Sequence, residues 1–155
     1  MSQFEILPTY LSHYPLKFVS YFESDGIYAG DTDAHFLSLG NSTWSKYHLS
    51  LKVWRRAGNK FLRQSEEVPL HRAIDMVLLL LSALNGDTSI TLSNDVGELS
   101  IGTNQPIQHS VRSLGLYVEQ RVDGEENRTI GDVLRERLTR LHHKLDDMHR
   151  RGDIF

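Results

Sequence analysis

Between Tyr47 and Arg56 apolar and polar side chains alternate, with Leu49, Leu51 and Val53 on one side and His48, Ser50, Lys52, Trp54 and Arg56 on the other. A period of two over that length predicts a half-buried strand. Ala57-Gly58-Asn59-Lys60 follows, and Gly-Asn at its centre suits a two-residue hairpin turn because both residues tolerate positive φ. The turn sets Phe61 opposite Arg56, Arg63 opposite Trp54 and Ser65 opposite Lys52. On this register Lys52, Trp54, Arg56, Phe61 and Arg63 share the outward face, while Leu49, Leu51, Val53 and Leu62 share a core face that seats a helix.

That helix opens at Val68-Pro69-Leu70, where proline's missing N–H would have no intrahelical partner anyway. Glu66 and Glu67 sit where negative charge suits the helix dipole. Leu70, Ala73, Ile74, Val77, Leu78, Leu81 and Leu84 fall at helical spacing, and Met76, Leu79 and Leu80 extend the stripe round most of the circumference. A helix apolar on nearly every side is expected to be central and buried. The Met76–Leu81 run is far short of the ~20 residues of a membrane span. Asn85-Gly86-Asp87 ends the helix with a glycine at the usual left-handed cap.

Upstream, Phe4–Leu7 reads as a short edge strand or an arm over the core, and Leu16–Phe22 and Phe36–Leu39 as strands. Downstream, Thr88–Ser93 and Glu98–Thr103 alternate around a turn and predict a second hairpin. Gln108–Val122 fits a helix through Val111, Leu114, Val118 and Val122, or a strand through Leu114, Leu116 and Val118. Thr129 with Asp132 nearly matches a capping box, and starts a helix over about 129–151. Leu134, Leu138, Leu141, Leu145 and Met148 make a short heptad seam there. The seam either packs on the protein's own sheet or pairs with a second copy. The whole predicts one α+β domain over residues 1–155: an antiparallel sheet packed on one buried central helix, with a long C-terminal helix.

The formal net charge of −3 over 155 residues supplies no field for long nucleic acid or an acidic membrane. The absence of cysteine removes disulfides and thiolate metal sites and fits a reducing cytoplasm. The first residues lack the basic and apolar segments of a secretory signal. Phosphate-loop, dinucleotide, nucleophile-elbow and His-Glu-x-x-His patterns are missing, so no cofactor is expected.

Three constellations could carry chemistry. Trp54 beside Lys52, Arg56, Arg63 and Phe61 could stack a base while the cations hold phosphate, or could be an ordinary sheet face under the C-terminal helix. Arg63, Glu67, His71, Arg72 and Asp75 crowd the strand-to-helix junction. There His71, four residues before Asp75, could act as a general base or simply tie helix to sheet. Asp31, Asp33 and His35 alternate and are weak metal candidates, since turn aspartates more often bond their own backbone.

Lys52-Val53-Trp54-Arg55, Arg63-Gln64-Ser65-Glu66-Glu67 and Pro69-Leu70-His71-Arg72, with Tyr28-Ala29 and Thr32-Asp33-Ala34 before them, resemble a bacterial family of small proteins with no assigned activity. The resemblance spans about Gly26–Leu81. It implies that hairpin and junction form one unit and carries over no activity. The reading the residues favour is a non-catalytic binding protein for a compact anionic ligand, such as a nucleotide or nucleotide-derived signal. Lys52, Trp54, Arg56, Phe61, Arg63 and Arg72 would hold it, in a cytoplasmic homo-oligomer joined through the C-terminal helix. The alternatives are a small hydrolase using His71, Asp75 and Glu67, or a protein–protein adaptor anchored by Trp54.

Overall fold

The computed structural model describes residues 7–63, 65–104, 118–119 and 128–154. Contacts group the chain into two units, residues 1–79 and 80–155. The first unit is a curled antiparallel sheet. Its strands are β1 (Tyr14–Ser20), β2 (Ala34–Asn41), β3 (Leu49–Ala57), β4 (Lys60–Phe61) and β5 (Glu67–Pro69). They run β1-β2-β3-β4, and β5 also pairs with β3. Helix α1 (Leu70–Leu84) follows β5 directly and crosses the division between the units.

The alternation in β3 is as predicted, but its phase is reversed. Ser50, Lys52 and Trp54 point into the curl and are buried, while Leu49 and Leu51 face out. β2 matches it, burying Ala34, Phe36, Ser38 and Gly40. Ladder pairing turns these positions into rows. Ser38, Lys52 and Glu67 lie side by side on the inner face, and Leu39, Leu51 and Val68 on the outer. The interior is closed by aromatic rings rather than leucines: Trp54 is 0 % exposed and packs with Leu7, Phe36, Leu11 and Phe61. Phe61 meets the indole edge-on at a centroid distance of 5.6 Å. An indole brings ~150–250 Å² of surface, so a strand face holding one tryptophan and small polar groups can bury as much apolar area as a leucine face. Counting apolar residues cannot see this.

The Gly58-Asn59 turn is confirmed, with Gly58 at φ +57° and Arg56 opposite Phe61. Beyond Phe61 the predicted register fails. Ser65 Oγ accepts from Arg55 N (3.4 Å) and donates to Leu62 O (3.3 Å). The chain rejoins β3 two residues later than expected, with Glu67 rather than Ser65 opposite Lys52.

Helix α1 forms over the predicted span but is not buried. Leu84 alone among its residues is fully covered, and Ile74 is 62 % exposed. The periodicity specifies a helix; it does not specify what covers it. The sheet completes its own core by curling, which leaves α1 no inner face to seal. Met76 instead borders an apolar groove of about 600 Å³ along the outer leucines, with Leu37, Leu51, Val53 and Val68.

In the second unit, β6 (Ser89–Thr91) and β7 (Glu98–Ser100) form the predicted second hairpin, with Ile90 opposite Leu99. β8 (Val118–Glu119) pairs with β9 (Arg128–Thr129); the rest of Gln108–Val122 lies outside the described residues. Helix α2 (Ile130–Arg151) carries the heptad seam. Ion pairs such as Arg140–Glu136 (3.1 Å) and Arg150–Asp146 (2.8 Å) brace its polar faces. Gly152, at φ +75°, caps it, and Asp153 N donates to Met148 O at 2.9 Å. No helix among the described residues is long and apolar enough to cross a membrane.

Candidate functional site

The inner row of the sheet gathers polar groups from four places. The segment before β1 brings His13, β2 brings Ser38, β3 brings Ser50 and Lys52, and β5 brings Glu67. His13 is 1 % exposed. Its Nδ1 lies 2.9 Å from Ser50 Oγ and 3.2 Å from Glu67 Oε1, and its Nε2 lies 2.9 Å from Ser38 Oγ. Trp54 Nε1–H donates to Ser38 Oγ at 2.7 Å. The Glu67 carboxylate can only accept, so His13 Nδ1 carries a hydrogen, and in the neutral ring Nε2 accepts from the Ser38 hydroxyl, which itself accepts from the indole N–H. This is the Nδ1–H tautomer, which donates toward Glu67 and Ser50. Ser50 Oγ donates to Glu67 Oε1 (2.7 Å), and Thr43 donates its N–H to Oε1 (2.8 Å) and its hydroxyl to Oε2 (2.6 Å).

The charges follow from this wiring. Burial pushes the His13 imidazole below its ordinary range, as does the Lys52 charge, against an opposing pull from Glu67. Burial works to raise the Glu67 pKa, but hydrogen bonds from Thr43, Ser50 and His13 together outweigh it and hold the carboxylate below its usual range. The network is thus a neutral imidazole beside an ionised carboxylate. Gly40 makes room for it: a Cβ there would lie 2.8 Å from His13 Nε2 and 2.1 Å from the Tyr14 carbonyl oxygen.

Lys52 is different. It is 6 % exposed, and among the described residues its ammonium makes no hydrogen bond or ion pair. The ammonium lies over the Trp54 ring, 4.9 Å from its centroid. Glu67 faces Lys52 across the ladder, yet the two form no ion pair. No fully buried nitrogen among the described residues lacks a partner, so the ammonium reaches the water of the pocket it lines. That pocket, about 320 Å³, is walled by Tyr10, Leu11, Ser12, His13, Thr43, Lys52 and Arg63.

The residues expected to bind ligand therefore separate. Lys52 and Arg63 meet at this pocket. Trp54 lies beneath it with no surface to offer, and Arg56 sits over Phe61 at 5.6 Å. Arg72 is exposed on α1. The junction trio also divides: Glu67 belongs to His13, while His71 and Asp75 lie on α1 with no hydrogen bond between them. Ser38, His13 and Glu67 have the order of a hydrolytic triad, but Ser38 is 3 % exposed and a reacting carbon has no route to its oxygen. Asp33 is drawn to Arg55, which also forks onto Glu66 (Nε to Oε2, 2.9 Å); the pairing raises the Arg55 pKa and lowers that of Glu66. His35 packs on Phe22 at 5.0 Å. Among the described residues no group of three metal-ligating side chains converges.

Sequence reasoning missed His13, Ser38, Ser50 and Thr43. A signal was present: Ser38-Leu39-Gly40 repeats the small–large alternation of Ser50-Leu51-Lys52, and pairing the two strands puts every polar member on one face.

No curated protein and no solved structure matches the chain. Residues 5–88 match the model of a family of unknown function (DUF6530), an extent that takes in the whole curled sheet, α1 and every residue of the pocket and stops just before β6. The chain belongs to this family of unknown function, DUF6530, and the polar pocket lies within the part that defines it.

Proposed function

We propose that this protein is a non-catalytic binding protein for a compact oxyanion, a carboxylate or phosphate group held by Lys52 and Arg63 between the residue 10–13 segment and the inner face of β3. The observation that carries the reading is Lys52, a lysine nine-tenths buried with no counter-charge bonded to it. The stem of Lys52 is buried while its ammonium faces the pocket, where an indole contact returns only ~0.5–2 kcal/mol. An entering anion supplies the missing partner, and low-dielectric walls strengthen the attraction. Glu67 does not fill that role: it is turned to Thr43, Ser50 and His13 and forms no ion pair with Lys52.

At about 320 Å³ the pocket is at the small end of the ~300–1,000 Å³ range of ligand clefts. A nucleotide would lack its expected stacking surface, since Trp54 is sealed; Tyr10 at the rim is the aromatic side chain a larger ligand would meet. The cytoplasmic setting, a bacterial or phage source and self-association through α2 remain parts of this proposal. The cysteine-free composition and the exposure of Leu141 and Leu145 on the seam support the first and last.

A thermal-shift series with phosphate, sulfate and acetate tests the reading. At a hundredfold excess over Kd, a bound anion stabilises the native chain by ~2.7 kcal/mol, a rise in Tm that Lys52→Met abolishes. An equal response in Lys52→Met, or none to any oxyanion, contradicts it.

A further inference from the structure

We propose that the pocket is proton-coupled: when an oxyanion neutralises Lys52, His13 takes up a proton, so the site binds anion and proton together. This rests on the oxyanion reading above and adds the regulation of the same site.

Lys52 and His13 line one pocket. The charged groups facing His13 are Glu67 from β5 and Lys52 from β3, with Arg63 at the rim; Ser38, Ser50 and Trp54 are its neutral neighbours. Both protonation states keep a partner on each ring nitrogen. In the neutral form Nε2 accepts from Ser38. In the cationic form Nε2–H donates to Ser38 Oγ and the hydroxyl hydrogen rotates away, while Nδ1–H becomes half of an ion pair with Glu67 at 3.2 Å. The same cage therefore accommodates either state without moving a backbone atom. Burial and the unneutralised Lys52 oppose the cation, and a bound anion removes the second of these. Linkage is reciprocal, so a proton on His13 tightens the anion by the factor with which the anion tightens the proton.

Sulfate is the probe, because it does not titrate near neutrality. Calorimetric titration of the full chain with sulfate, in two buffers of different ionisation enthalpy, reads the protons taken up. The expected result is uptake of a fraction of a proton per sulfate. Affinity should rise as pH falls from about 8 to about 6, by at most about tenfold per pH unit. The His13 imidazole NMR resonance should titrate at higher pH with sulfate present, while that of exposed His71 stays put. Sulfate binding with no proton uptake and a flat pH profile, or uptake that traces to another histidine, overturns the coupling and leaves the oxyanion site standing. Failure of sulfate to bind at any pH overturns both.

Discussion

Lys52 and His13 occupy neighbouring positions in one interior and are handled in opposite ways. His13 has a partner on each nitrogen, Glu67 and Ser50 on Nδ1 and Ser38 on Nε2, whereas the Lys52 ammonium is left to the pocket. The histidine cage makes stability depend on pH in a defined direction. His13 is held below its ordinary value of about 6.5. As pH falls through that value, the unfolded chain takes up a proton that the native chain refuses, and stability drops. Glu67 is held below its ordinary 4.5, so its contribution is present above that pH and lost as pH falls through the folded value. Urea midpoints measured without sulfate or phosphate should be level above about pH 7 and decline below about 6.5, then again below about 4.5. Each proton contributes at most ~1.4 kcal/mol per pH unit. A midpoint that rises between about pH 7 and about pH 6 would contradict the assignment of a buried neutral imidazole.

At the scale of elements, the close approach of β1 to β2 makes the site possible. Gly40 pairs with Pro15 beside an irregularity in the ladder, and a Cβ at Gly40 would strike the Tyr14 carbonyl at 2.1 Å. Backbone cannot yield as a flexible side chain does, so Gly40→Ala should cost about 3 kcal/mol and remove the response to anions by displacing His13. Unfolding by urea checks the first and thermal shift the second; an unchanged midpoint would show that the strands are further apart than described. The elements themselves were largely legible: the strand alternation, the Gly58-Asn59 turn, the second hairpin and the C-terminal helix follow from local chemistry. The phase of β3 was not. Hydropathy puts the leucines inward, whereas the curl closes on Trp54, Phe36 and Phe61, and that outcome depends on which neighbouring strand supplies the matching rings. The two-residue shift in register before Glu67 was equally hidden, because Ser65 bonds backbone partners there rather than forming any turn signature.

For the molecule as a whole, the family match over residues 5–88 covers the curled sheet and α1, and the proposed oxyanion site falls inside it. The long apolar helix was read as buried and central; it is largely exposed, and the core of the first unit lies on the inner face of the sheet around Trp54. If so, Lys52 should be the least reactive lysine of the sheet and the one that answers to anions. Reductive methylation followed by mass spectrometry, with and without sulfate, measures this directly. The account predicts that Lys52 is modified far more slowly than Lys46 and Lys60, and that sulfate slows Lys52 further while leaving those two unchanged. Lys52 modified as fast as Lys60 in both conditions would contradict it.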